Sequence, residues 1–429
     1  MDARVDPGLL DDLRWRGLVA DTSDPGALAE ALKAPLAVYA GYDPTASSLH
    51  VGNLQVVILL RRFQLAGHTP IALAGGGTGL IGDPSGKADE RALQTPEVIE
   101  QWAARIRHQL ARLLPAEEPV PVFEDNLTWI GPLGAIELLR DVGKHFAVSQ
   151  MLTRESVATR VGEGGSGMSF TEFSYMVLQA FDFQQLYDRH ACRLQVGGSD
   201  QWGNIAAGLD LLRRTGRPGA HGLTSPLILR SDGRKFGKSE EGTIWLDPER
   251  TSPFAFYQYF LGLPDADVTT LLRRLSLRPR AEIESLEAAL ADDPAGREAQ
   301  RELARELTEM VHGEAGRAEA EEISRWLFGG EELLSLEPRE LRRALRGGPV
   351  VEFAPADLES WDRIAVHAGL AASLSEARRT ISGGGLYAAD ERITPELPVP
   401  SAADLAERGA MVLRKGKRRR VVAVLADGS

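Results

Sequence analysis

Tyr39-Ala40-Gly41-Tyr42-Asp43-Pro44-Thr45-Ala46-Ser47-Ser48-Leu49-His50-Val51-Gly52-Asn53 is the stretch on which the fold turns. Ahead of it, Leu36-Ala37-Val38-Tyr39 reads as a strand. Behind it, Leu54, Val57, Ile58 and Leu65 recur at helical spacing. A strand that passes through an Asp-Pro turn into a helix is the repeating unit of a parallel sheet. In such sheets ligands bind at the carboxyl ends of the strands. His50 and Asn53, three apart, can face one side of the helix start. A helix N-terminus favours phosphate through its free N–H groups and its dipole, and Gly52 lets a flat ring approach the backbone. Read alone, His-Val-Gly-Asn is equally a polar helix cap.

Working outward, the alternation continues. Strands are expected at Thr69 to Ala74, ending in Gly75-Gly76-Gly77, at Pro119 to Phe123, near Arg193 to Val196 and at Pro226 to Leu229. Pro96 opens a helix at its first turn, where a missing N–H costs nothing. Between residues 281 and 330 there are 13 acids and 5 bases, with Leu303, Leu307 and Met310 at helical spacing, which reads as a helical region with a solvated acidic surface. Gly347-Gly348-Pro349 through Ala354-Pro355 reads as a linker, and Gly162 to Gly167 as a flexible loop.

Composition narrows the function classes. The chain has 429 residues, 43% hydrophobic and 26% charged, enough for two or three ordered domains. Cys192 is the only cysteine, so a disulfide framework and a Cys-based zinc site are excluded. No apolar run approaches a bilayer span, and Met1 to Asp6 lacks the apolar stretch of a signal peptide. A cytoplasmic protein without a membrane partner is expected. The net charge of -12 excludes a uniformly basic nucleic-acid binder, but not a local patch. Residues 361–420 carry 11 bases against 7 acids, six of the bases within Arg414 to Arg420. Only seven of the 49 basic residues are lysine, so positions that stay lysine point to a need for a compact, mobile charge.

Four further motifs could carry chemistry. Arg234-Lys235-Phe236-Gly237-Lys238-Ser239 places two lysines around a glycine on a loop, suited to following a departing pyrophosphate, or simply an exposed basic loop. Tyr175, Gln179 and Asp182 lie on one helical face among Phe173, Met176, Val177, Leu178 and Phe181. A helix apolar nearly all round is buried, and its polar stripe needs partners, from a phenol-and-amine ligand or from an internal network. In Gln195-Val196-Gly197-Gly198-Ser199-Asp200-Gln201-Trp202-Gly203-Asn204, glycines end a strand and Asp200 opens a helix, either to accept from ribose hydroxyls or as a plain helix cap. Gly82-Asp83-Pro84-Ser85-Gly86-Lys87 alone is an ordinary turn.

Together these motifs resemble the bacterial tyrosyl enzymes among the class I aminoacyl-tRNA synthetases, over essentially the whole chain. Asp43 through Asn53 is similar to the HIGH region, with Asn53 in place of the second histidine. Lys235 to Ser239 is similar to the KMSKS loop, with Phe236 and Gly237 in place of Met and Ser. The resemblance implies a Rossmann-like α/β catalytic domain with a parallel sheet over residues 1–230, a mobile loop at 231–245, an α-helical anticodon-arm domain at 246–346, a linker at 347–358 and a small α+β RNA-binding module at 359–429. It implies that Tyr39, Asp182 and Gln179 form the tyrosine pocket. Asp83, Tyr175 and Gln179 then hold the ammonium, and Asn126, Gln195 and Gln201 also line the pocket. Gly41, Asp43, Gly52, Asn53, Gly198, Asp200 and Gln201 fall around the adenylate, and Thr45, His50, Lys235 and Lys238 at the phosphates. Lys87 and Arg91 act on the transition state. Arg378, Arg379, Arg414, Lys415, Lys417 and Arg418 are implied tRNA contacts. ATP is then a substrate, with Mg2+ on its phosphates, and the protein a homodimer. Rival readings are a tryptophanyl enzyme, a non-catalytic RNA-binding relative and a nucleotidyltransferase with a small acceptor. Asp182, the Gly-Asp-Pro-Ser-Gly-Lys segment and the C-terminal module disfavour the first, intact Lys235, Lys238, Asp83 and Asp200 the second, and the helical region with the RNA-binding tail the third.

Overall fold

The computed structural model describes residues 5–84, 94–162, 167–229, 231, 233, 236–239, 242–329, 348–388, 391–408, 410–416 and 419–426. The chain falls into two compact units, 1–251 with 260–311, and 252–259 with 312–429.

The first unit is built on five strands, β1 (Ala37–Tyr42), β2 (Thr69–Ala74), β3 (Val122–Asp125), β4 (Cys192–Gly198) and β5 (His221–Ser225). They are all parallel and lie in the order β3-β2-β1-β4-β5. Val38, Ala40, Ile71, Leu73, Leu194 and Val196 are buried, as near-continuous apolar strands of a doubly covered sheet must be. The expected strand at Pro226 to Leu229 is displaced: pairing runs from His221 to Ser225 and stops there. Pro226 has no N–H to give to a ladder, and its carbonyl accepts instead from Gln55 Nε2 at 2.8 Å.

The helices follow from their apolar stripes. α1 (Leu9–Trp15) and α2 (Pro25–Ala31) precede the sheet, and α2 is capped by Asp24, which accepts from the N–H groups of Gly26 and Ala27. α3 (Val51–Leu65) follows β1 and buries Leu54, Val57, Ile58 and Phe63. α4 (Pro96–Leu113) starts on its proline and buries Ile99, Ala103, Ile106 and Leu110. α5 (Phe170–His190) opens on Ser169, which accepts from the Glu172 N–H, and ends on Ala191 at φ 51°. Its first residue, Phe170, is 76% exposed, so the helix is not buried from its start as its composition implies. α6 (Trp202–Arg214) packs on α5, where a Cβ on Gly208 would come within 3.1 Å of Phe183. Asp200 does not open this helix. It lies inside a short 3-10 turn, Ser199–Gln201, and the α-helix begins at Trp202.

α7 (Asp265–Leu275) and α8 (Arg280–Asp292) follow, and a further helix starts at Glu298. Two buried arginines tie α1 and α3 to the end of α7. Arg16 donates to Asp12 at 2.7 Å and to the carbonyls of Arg273, Ser276 and Arg278. Arg62, from α3, donates to Asp12 and to the Ser276 carbonyl. Burial, with Arg16 alongside, pushes the Arg62 guanidinium down to about 9 against the pull of Asp12 and Glu306. Last-turn carbonyls have no helical partner, so the two guanidiniums supply one.

In the second unit a mixed sheet runs β10-β9-β11-β12-β8. Its strands are β8 (Val350–Phe353), β9 (Leu386–Ala388), β10 (Glu391–Arg392), β11 (Met411–Lys415) and β12 (Arg419–Leu425), the labels β6 (Lys238–Ser239) and β7 (Gly242–Thr243) belonging to a hairpin of the first unit. β8 is parallel to β12 and the other pairs are antiparallel. Phe353, Trp361, Ile364, Ala377, Leu386 and Leu413 form its core with the helices Trp361–His367 and Leu374–Ser382. This is a small α+β module. Among the described residues no helix is long and apolar enough to cross a membrane.

Arg62→Ala should lower stability by about 2–3 kcal/mol, because a charged donor to a buried carbonyl is lost. A denaturant titration checks this, and an unchanged midpoint would show that Arg16 alone suffices.

Candidate active site

The sheet order puts β1 and β4 side by side while the chain proceeds outward from β1 through β2 to β3, and from β4 to β5. Such a reversal opens a crevice at the strands' carboxyl ends. Tyr39, Gly41, Asp43, Gln195, Gly198 and Asp200 all stand on or just beyond β1 and β4.

A hydrogen-bonded chain runs through the middle of this crevice. Asp182, on α5 and 2% exposed, accepts from Trp129 Nε1 at 2.7 Å and from Asn126 Nδ2 at 2.9 Å. Asn126 Nδ2 also donates to Thr78 Oγ1 at 2.9 Å, and its Oδ1 accepts from the Gly77 N–H at 2.7 Å. Thr78 Oγ1 donates to Asp43 Oδ1 at 2.7 Å, and Tyr175 Oη donates to Asp43 Oδ2 at 2.6 Å. Asp43 is thus joined to the residues expected around tyrosine, and Tyr175 bonds to Asp43 rather than to Asp83. Asp83 instead accepts from Gln201 Nε2 at 2.7 Å, and Gln201 Oε1 accepts from Asn204 Nδ2 at 3.2 Å. Gln179 is half-buried on the same helix as Tyr175 and Asp182.

Among the buried polar atoms left unpaired, two lie on residues expected in the tyrosine pocket. Tyr39 Oη and Gln195 Oε1 have no hydrogen-bond partner. Leaving a buried polar atom unpaired costs about 1–3 kcal/mol, so each calls for an external partner. Burial raises the Tyr39 hydroxyl well above its ordinary value, and the neighbouring Asp182 adds to this. Burial also pushes the Asp182 carboxyl up to about 8; the Asn126 and Trp129 donors oppose this, while Asp43 and Asp125 add to it.

Three elements escaped the sequence reading. In the sequence, Gly75, Gly76 and Gly77 read only as the stop of a strand. A Cβ at Gly75 would lie 2.0 Å from Asp43 Oδ1, and one at Gly76 would lie 2.3 Å from Asp125 Oδ1. The glycines let two carboxylates press against bare backbone. Thr78 and Trp129 are the other two; a glycine run ending at the carboxyl edge of a sheet was the available signal.

At the start of α3, Asn53 Oδ1 accepts from the His50 N–H at 3.0 Å, so the two expected residues do meet. The imidazole lies over Gly52, where a Cβ would be 2.8 Å from it. The N-terminus is not wholly free for an anion, as expected from sequence: the Val51 N–H donates to the Ile244 carbonyl at 3.0 Å. Thr45 and Gly41 are exposed. Asp200 is exposed and its carboxylate overhangs Gly198. Lys87, Arg91, Lys235, Lys417 and Arg418 lie outside the described residues, and of Lys238 only the backbone is described. In the second unit, Arg378 donates to Asp362 at 2.7 Å and Lys415 to Glu376 at 2.7 Å. Arg414 stacks 3.8 Å from the Tyr387 ring centroid, and Arg379 is exposed. Among the described residues no three His, Cys, Asp or Glu side chains group so as to hold a metal ion.

The family model described as tRNA synthetases class I (W and Y) matches residues 31–329. The chain belongs to this family. It is 50% identical over 424 residues to a tyrosine–tRNA ligase of Thermobifida fusca, covering 96% of this chain and 98% of that one. It is 47% identical over 416 residues to that of Bacillus caldotenax, covering 96% and 98%. Among solved structures, a C-terminally truncated mitochondrial tyrosyl-tRNA synthetase of Aspergillus nidulans superposes with a TM-score of 0.67 at 30% identity, covering 75% of this chain and 94% of that one. A tryptophanyl-tRNA synthetase of Encephalitozoon cuniculi superposes with a TM-score of 0.55 at 13% identity, covering 74% and 93%, which speaks to the fold alone.

The raised Asp182 pKa has a sign. The folded protein holds a proton there that the unfolded chain releases near its ordinary 3.8. Stability from this group is therefore full below about 4 and is lost as pH rises towards 8, by at most about 1.4 kcal/mol per pH unit. Urea midpoints between pH 5 and pH 8.5 should show this slope for the parent chain relative to Asp182→Asn, which has no proton to lose. Parallel profiles would mean that Asp182 is ionised throughout.

Proposed function

We propose that this synthetase is a tyrosine–tRNA ligase: it activates L-tyrosine with ATP to tyrosyl-adenylate and pyrophosphate, then transfers tyrosine to the terminal ribose of tRNA(Tyr). The observation that carries the reading is the orphaned Tyr39 hydroxyl beside the buried Asp182 carboxyl, where the apolar core of the first unit meets the carboxyl edge of the sheet. A phenolic hydroxyl gives the Tyr39 hydroxyl its missing partner, whereas a phenyl ring leaves it unpaired. The near-full-length likeness to tyrosine–tRNA ligases supports the same choice.

The tyrosine carboxylate is already a nucleophile, so activation needs no general base. The barrier lies in charge gathering on the α-phosphate and the leaving pyrophosphate, and catalysis is positioning plus electrostatic stabilisation. Tyr39 and Asp182 take the phenol. Asp83, Tyr175 and Gln179 take the ammonium, and Asn126, Gln195 and Gln201 complete the pocket. Gly41, Asp43, Gly52, Asn53, Gly198 and Asp200 border the adenylate. Thr45, His50, Lys87, Arg91, Lys235 and Lys238 act on the phosphates. Magnesium arrives with ATP as part of the substrate and neutralises phosphate charge.

The division of labour proposed along the chain is catalysis in 1–230, a loop over the phosphates at 231–245, anticodon-arm binding in 246–346 and RNA binding in the module that starts with β8; the linker expected at 347–358 is not one, because Val350–Phe353 pairs with β12 and Phe353 is buried in that module's core. Arg378, Arg379, Arg414, Lys415, Lys417 and Arg418 would meet tRNA phosphates, which position but do not specify. A homodimer is proposed as well. Ile136, Leu139, Val148, Leu152, Val161 and Phe170 are all exposed within residues 136–170, and apolar side chains concentrated in this way mark contact surfaces. The cytoplasm is the proposed compartment.

ATP–pyrophosphate exchange with single amino acids tests the reading. Tyrosine alone should drive it; exchange driven by tryptophan, or none, overturns the proposal. Tyr39→Phe should then narrow the preference for tyrosine over phenylalanine by about tenfold, the worth of one buried hydrogen bond. An unchanged ratio of kcat/KM values would remove Tyr39 from the phenol site.

A further inference from the structure

Residues 244–246 run antiparallel across the start of α3. The Val51 N–H donates to the Ile244 carbonyl at 3.0 Å and the Leu246 N–H donates to the Leu49 carbonyl at 2.9 Å, with His50 and Trp245 directly opposite each other between them. Opposed residues of an antiparallel pair put their side chains on one face. The imidazole and the indole accordingly meet edge-on, with centroids 6.1 Å apart and planes at 63°, a favourable aromatic arrangement. The tryptophan is itself fixed through its ring and through its backbone. The Arg250 guanidinium lies 3.4 Å from its ring centroid and donates to Ser47 Oγ at 3.3 Å, and the backbone N–H of Trp245 donates to Thr251 Oγ1 at 3.0 Å, which holds the main chain that carries the indole. The imidazole also lies over Gly52, which has no Cβ to push it away. His50 is thus boxed between a glycine and a tryptophan that is held by an arginine.

We propose that Trp245, backed by Arg250, is a positioning residue for His50: it sets the orientation in which the imidazole meets the phosphates during tyrosine activation. The proposal rests on the ligase reading above and adds two residues to it. Neither ring atom of Trp245 nor the Arg250 guanidinium need touch substrate; their effect passes through His50.

The test is tyrosine-dependent ATP–pyrophosphate exchange by the full chain. Trp245→Leu should lower kcat about tenfold, as misplacement of a transition-state group does, with KM for tyrosine within twofold of the parent. Trp245→Phe should recover most of the loss, and Arg250→Ala should show a smaller one. In a His50→Ala background Trp245→Leu should cost nothing further. A loss of the same size in that background, or a rise in tyrosine KM alone, overturns the proposal. A second readout does not depend on activity: the His50 ring resonance in the NMR spectrum, identified by its disappearance in His50→Ala, should shift in Trp245→Phe and in Arg250→Ala. A resonance that stays in place overturns the proposal whether or not the parent chain exchanges. Absence of exchange by the parent, with the shift present, overturns the ligase reading and leaves the positioning contact standing. Should Trp245→Leu fail to fold, the Phe and Arg250 variants carry both readouts.

Discussion

A carboxyl group deep in a folded chain is the constraint around which the first unit is arranged. Asp182 is almost wholly shielded from water, and an isolated carboxylate there would cost far more than a domain's net stability. Two donors, Trp129 and Asn126, lessen that cost, and each must itself be delivered by a separate element. Asn126 comes from the end of β3 and Trp129 from the short helix after it, so β3 must lie where α5 can present Asp182 to both. Asn126 is further oriented by the Gly77 N–H and by Thr78, which reaches Asp43 beyond the end of β1. One buried carboxyl group therefore ties β1, β2, β3 and α5 into a single register at the sheet's carboxyl edge. The members of this chain find their partners within it, whereas the Tyr39 hydroxyl beside Asp182 has none. The unpaired end of an otherwise complete network is where a ligand gains most.

The same edge shows why glycine, not a catalytic side chain, occupies the strand ends. Gly75 and Gly76 receive the carboxylates of Asp43 and Asp125 at distances no Cβ could share, and Gly198 receives that of Asp200. Gly237, at φ 87°, brings its backbone to the first turn of α3, where a Cβ would sit 3.3 Å from the Gly52 nitrogen. Its carbonyl also accepts from the Ile244 N–H at 2.9 Å, so the segment after Phe236 is stitched to the segment that pairs with His50. Close approach of backbone to backbone is what lets two distant motifs share one crevice.

Much of this was legible in the amino-acid sequence, and for physical reasons. The strand-turn-helix at 36–65 is marked by two distinct apolar periods with an Asp-Pro between them, so β1 and α3 stand where the pattern puts them. The face shared by Tyr175, Gln179 and Asp182 is a matter of helical spacing alone. Pro226 misled because its apolar neighbours Leu227, Ile228 and Leu229 look like a buried strand, whereas Leu227 and Leu229 are half exposed and the ladder ends at Ser225. Thr78 and Trp129 could not be found by spacing, because their partners Asp43 and Asp182 are far away in sequence and only the sheet order brings them near. Pairings of that kind are a property of topology, and no local pattern encodes them.

Charge shows the same split between local and global. The total of -12 says little about a polyanionic partner, because exposed charges are screened within about 10 Å. What a phosphate would meet in the second unit is a set of cations already engaged: Arg378 with Asp362, Lys415 with Glu376, Arg414 on Tyr387. Arg378 is 69% exposed in its pair, and such surface pairs contribute little. They hold the side chains in place without binding them strongly, so a phosphate could displace the acid partner at small cost. On the proposed reading, that arrangement keeps an acidic protein from adhering to itself through a free basic patch while leaving the patch available to tRNA. The acids beside the arginines and lysines would then be as much a part of the RNA surface as the bases.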